Sequence, residues 1–71
     1  MSEVEVRVNG EPMLVESAST IADVVTRLTD SADPKGIAVA VDRDVVPRSQ
    51  WASTLVRADT SIEVVTAAAG G

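Results

Sequence analysis

The chain closes on Ala67-Ala68-Ala69-Gly70-Gly71, and the carboxylate of Gly71 is its best candidate for a reacting group. Two residues without Cβ can thread a narrow channel. An unhindered carboxylate brought to ATP in another enzyme's site can attack the α-phosphate, and the acyl-adenylate so formed is a carbonyl open to a sulfur nucleophile. With glycine at about 7% of residues, Gly-Gly at the last two positions arises by chance in roughly one chain in two hundred. Extended, the segment from Ala67 to Gly71 reaches at most about 17 Å, enough to carry that carboxylate from a folded body into a partner's cleft. On this reading Gly71 carries the chemistry, and Gly70, Ala69 and Ala68 are what the partner's channel recognises.

The other side chains offer little that competes. With no Cys and no His, disulfides, zinc-thiolate and iron-sulfur sites, a histidine general base and a cysteine nucleophile are all excluded. Ser17, Ser19, Ser49, Ser53 and Ser61 have no histidine to activate them and read as cap and turn residues. Four glycines, two of them terminal, form neither a P-loop nor a dinucleotide fingerprint. Asp30 with Asp33, and Asp42 with Asp44, lack calcium-loop spacing, and Arg43 interrupts the second pair. They read as solvated turn carboxylates, and no metal is expected. Six Lys plus Arg against eleven Asp plus Glu leave a net charge of -5, a field that repels phosphate backbones. The single Trp, with no Phe or Tyr, offers no stacking platform for nucleic acid.

The elements that must position these groups follow from periodicity. Val4, Val6 and Val8 alternate with Glu3, Glu5 and Arg7, as in a strand with one buried face. Asn9-Gly10 supplies a type I′ turn, so residues 11–15 return antiparallel. Pro12 confines that second strand to a sheet edge, because its nitrogen cannot donate to a further neighbour. Ile21, Val24, Val25 and Leu28 form the stripe of one amphipathic helix, with Thr20 as its cap and Asp23 at its positive end. Residues 30–36 read as a loop and 37–41 as a buried third strand. Asp42-Arg43-Asp44 then turns the chain into a brief Val45-Val46 strand. Pro47 suits the first position of a helical turn, with Trp51 on the same face as a lid over the core and Leu55 and Val56 continuing the cover. Residues 62–66 alternate again as the last strand.

An edge hairpin, one crossing helix and a final strand returning beside the first describe an α+β β-grasp. The expected sheet has about five strands in the order 2-1-5-3-4 with one main helix on one face, an SH3-like barrel being the alternative. Residues 1–66 make the domain, and 67–71 a flexible tail. If Val39, Val41, Ile62 and Val64 face the helix, then Ala38, Ala40 and Val65 turn outward as a mild apolar patch for a partner. Arg48, an exposed cation beside a turn, joins that candidate surface through a partner's carboxylate. Carboxylates stand where a signal peptide is positive, and no apolar run approaches the ~20 residues that span a bilayer. A cytoplasmic protein without membrane contact is expected.

Together Val8-Asn9-Gly10-Glu11, the helix from Thr20, Val39-Ala40-Val41 leading through Val45-Val46-Pro47-Arg48 to Trp51-Ala52, and Gly70-Gly71 resemble the ThiS family, the sulfur carriers of thiamine biosynthesis. The resemblance runs from the first strand to the last residue. Gly-Gly is common to ubiquitin-like carriers, whereas the Val-Pro-Arg-x-x-Trp stretch points to the thiamine branch. It implies a carrier that is not an enzyme: an E1-like adenylyltransferase activates Gly71 with ATP, a sulfur-donor system converts it to a thiocarboxylate, and thiazole synthase receives the sulfur. No cofactor is then bound by the chain itself. Two turns depart from the family: Asp42 stands where Asn is frequent, and Ala58-Asp59-Thr60 where Asp-Gly-Asp precedes the last strand. The small subunit of molybdopterin synthase shares the tail chemistry, and a noncovalent β-grasp interaction module is the reading of a different class.

Overall fold

Asn9 and Gly10 adopt φ of 53° and 86°, the pair of positive values that a two-residue hairpin turn requires. They join β1 (Glu3–Val8) to β2 (Glu11–Glu16), with Val8 opposite Glu11 and Arg7 opposite Pro12. The computed structural model describes residues 2–30 and 35–66. Its further elements are α1 (Ile21–Thr29), β3 (Ile37–Val41), β4 (Asp44–Val46), a 3-10 turn (Arg48–Ser53) and β5 (Ser61–Thr66). The sheet order is β2-β1-β5-β3-β4. Among the described strands only β1 and β5 run parallel, through Arg7–Ser61 and Val8–Ile62, and this pairing makes the fold a β-grasp. Pro12 lies on the edge strand, where its missing N–H disturbs no ladder.

Helix α1 is nine residues long, too short to hold itself in water. Two things fix it. Thr20 and Asp23 form a reciprocal capping box, Thr20 N donating to Asp23 Oδ2 at 2.9 Å and Asp23 N to Thr20 Oγ1 at 3.2 Å. Ile21, Val24 and Val25 bury themselves against Val6, Val39 and Ile62 of the sheet. Each such side chain contributes about 1.5–3 kcal/mol when fully buried, so this contact holds the helix in place. Asp30 ends it in the left-handed region, at φ 58°, with its N–H on Thr26 O.

Several expectations are corrected. Strand β3 is not buried throughout: Val39 is buried while Ala38 is exposed, because the single helix covers only one face of the sheet. Leu28 is 39% exposed. It borders an open groove at the Asn9 end of the hairpin, together with Val8, Glu11, Pro12 and Met13. Leu55 is 60% exposed, since Thr20 and Leu55 form a β-bridge in which Val56 N donates to Ser19 O and Ile21 N to Thr54 O. Strand-like alternation there turns Val56 inward and Leu55 outward. Asp44 belongs to β4, and Asp42-Arg43 alone makes the turn, at φ of 50° and 76°. Pro47 is extended, with ψ of 147°, and precedes the 3-10 turn instead of opening it.

Candidate functional site

The register of β5 against its neighbours builds the outer face of the sheet. Ala38 lies opposite Val65, Ala40 opposite Glu63, and on the other side Ala40 is opposite Val45. Directly opposed residues point to the same face, so Ala38, Ala40, Val45 and Val65 form one apolar strip away from the helix, with the exposed Glu63 at its edge beside Ala40. Val65 is 58% exposed and Val45 75%. The structure thus brings three of the expected surface residues together and adds Val45. A two-residue Asp42-Arg43 turn would have assigned Val45 to Ala40's face, but an arginine at positive φ is an uncommon turn residue and gives no local signal.

Beyond this strip the outer face is charged. Glu3 and Glu5 of β1 share it with Leu14 and Glu16 of β2, Glu3 lying opposite Glu16 and Glu5 opposite Leu14. Leu14 is 53% exposed, and its carbonyl accepts from Arg27 Nη1 at 2.8 Å. A partner that covers the strip therefore meets an apolar centre bordered by carboxylates.

Arg48 is not on this strip. Its guanidinium carbon stands 4.7 Å from the centroid of the Trp51 ring, a cation–π geometry. A 3-10 turn eclipses residues i and i+3, which is why Arg48, and not Pro47, stacks with Trp51. Trp51 is buried in the core as expected, and its Nε1 donates to Val46 O at 2.9 Å. Val46 is opposite Val39 on the helix side, and Arg48 covers a tryptophan that belongs to the core on that side.

Strand β5 remains paired with β3 up to Thr66, which lies opposite Ile37. Ala68, Ala69, Gly70 and Gly71 lie outside the described residues, as does the whole 67–71 segment. A groove of about 850 Å³ bordered by Val41, Asp42, Asp44, Leu55, Arg57 and Thr60 opens near the start of β5. At about 3.3 Å per strand residue it is some 17 Å from Thr66. Among the described residues no group of three or more acidic, His or Cys side chains could hold a metal. Among them, too, no helix is long and apolar enough to cross a membrane.

The fold agrees with one family. A protein-family model, that of the ThiS family, matches residues 6–71. The chain belongs to the ThiS family. Among solved structures it is similar to the crystal structure of the thiamine biosynthesis protein ThiS from Geobacter metallireducens, with a TM-score of 0.75 at 20% identity, over 89% of this chain and 93% of that one. At that identity the likeness shows the fold. A search of curated proteins gives no match. ThiS membership supports a sulfur-carrier role in thiamine biosynthesis, exercised with partner enzymes.

Proposed function

We propose that this ThiS-family chain carries sulfur as a thiocarboxylate on Gly71 and donates it for the thiazole ring of thiamine. The observation that carries the reading is the family match, which extends through residue 71 and so includes Gly70-Gly71. An oxygen of the Gly71 carboxylate attacks the α-phosphate of ATP in an E1-like enzyme, and pyrophosphate leaves. A sulfur nucleophile from a donor system then attacks the acyl carbon, and AMP departs with one of the original carboxylate oxygens. The chain holds neither ATP nor a cofactor; its body docks and its last residues thread. Gly70, Ala69 and Ala68 suit a narrow channel because each has at most one carbon beyond the backbone. Ala38, Ala40, Val45 and Val65 are the proposed docking strip, for partners with an apolar centre and basic rim, the adenylating enzyme and thiazole synthase among them.

The test is intact mass after incubation with ATP, a cognate E1-like enzyme and a sulfur source. Exchange of one oxygen for one sulfur on the C-terminal peptide is expected. Deleting Gly71, or adding one residue after it, should abolish ATP–pyrophosphate exchange while leaving thermal unfolding unchanged. Wild-type exchange by the extended chain, or no mass gain in the unaltered one, would favour a noncovalent interaction module. Growth without thiazole in a strain lacking its own thiamine carrier should be restored; rescue of a molybdopterin-carrier strain alone would move the protein to that branch.

A further inference from the structure

The Asn9-Gly10 turn does more than close a hairpin. Strand β1 ends at Val8, opposite Ile62, and Asn9 N still donates to Ile62 O at 2.9 Å. There the main chain turns away toward β2 and leaves β5 to continue without a parallel neighbour. The Asn9 carboxamide takes the neighbour's place. Its Oδ1 accepts from Val64 N at 2.8 Å, and its Nδ2 donates to Val64 O at 3.2 Å. Two bonds of opposite sense to one residue fix which end of the amide is which, since only the nitrogen can donate. The side chain thereby imitates one more peptide group of β1.

We infer that Asn9 is a positioning residue for the C-terminal carrier segment, setting the direction in which β5 delivers the chain beyond Thr66; this rests on the carrier reading above. Strand β5 is held by β3 on one side through Val65 and Thr66, and by Asn9 on the other as far as Val64. Without the clamp, the last parallel-side bond to β5 retreats from Val64 to Ile62. Once the segment is threaded in a partner's channel, an error in direction at its base misaligns the reacting carboxylate, and small misplacements cost reaction rate steeply. The residue type fits both duties. Asparagine tolerates the left-handed φ of 53° and carries one donor and one acceptor on the same group. Glycine would satisfy the turn alone.

Asn9→Gly therefore removes the clamp and keeps the turn, and Gly10→Ala does the reverse. A Cβ at Gly10 meets nothing within 4 Å but must adopt φ of 86°, so only the turn is strained. Both variants are compared with the unaltered chain in adenylation by the cognate E1-like enzyme, together with amide exchange at Val64. For Asn9→Gly, Val64 should lose protection and kcat should fall about tenfold with KM for the chain within about twofold. For Gly10→Ala kcat should hold, because a partly unfolded population dilutes competent chain and raises apparent KM alone. Unchanged kcat or unchanged Val64 protection in Asn9→Gly, or an equal loss of kcat in Gly10→Ala, would overturn the positioning role. If the unaltered chain is never adenylated, the carrier reading falls and the role falls with it; if it is, and Asn9→Gly matches it, only the role falls.

Discussion

The two faces of the sheet are built from similar residues and left in opposite conditions. Val39 is 1% exposed, whereas Val45, on the adjacent strand, is 75% exposed. Both are valines in β-strands, and they differ in what covers them: α1 and the 3-10 turn on one side, no element among the described residues on the other. On the covered face apolar character stabilises the fold. On the bare face the same character contributes little to folding and is available to a partner. Substitutions that separate stability from partner binding should therefore divide by face.

The largest effect is expected at Trp51. Trp51→Ala removes the largest side chain of the covered face, its bond to Val46 O and the platform for Arg48. Destabilisation of about 3–5 kcal/mol is expected by thermal or urea unfolding, a large share of a small domain's stability. If unfolding barely moves while partner binding collapses, Trp51 is an interface anchor and the division by face fails at that residue. Val39→Thr comes next. It keeps the β-branched shape but buries a hydroxyl in an apolar site, at a cost of about 1–3 kcal/mol. Arg48→Ala is milder, about 0.5–1 kcal/mol for an exposed cation over a ring. Because Arg48 is stacked on the core residue Trp51, docking of the folded chain should change less in this variant than in strip variants, as binding measurements on both would check.

Where the sequence was legible, the signal was local. Asn9-Gly10 and Pro12 gave the edge hairpin, and Thr20 with Asp23 gave the helix start, because turn and cap chemistry act within three or four residues. Alternation in residues 37–41 and 62–66 turned Ala38, Ala40 and Val65 to the outer face once the helix side was chosen. What escaped depended on where a neighbouring element ends. Leu28 and Leu55 fit an apolar pattern but outrun the surface that would cover them. Arg43 hid the second two-residue turn and with it Val45. Asn9 was readable as a turn residue, and that sufficient explanation concealed its second duty, since its partner Val64 is 55 positions away.

The smallest stability effect, and the sharpest test of the division, belongs to the strip itself. Val45→Thr and Val65→Thr repeat on the bare face the change made at Val39, again preserving the shape a strand favours. With both side chains already in water, unfolding should move by no more than about 0.5 kcal/mol for each. If partners cover the strip, each hydroxyl is then desolvated where a methyl had been buried, and the double variant should raise the Kd for the adenylating enzyme about tenfold. Leu14→Thr is the matched control, an exposed apolar residue on the charged half of the same face. It should leave that Kd unchanged. Should Leu14→Thr weaken binding while the double variant does not, the partner docks on β1 and β2, and the strip on β5, β3 and β4 is not the contact.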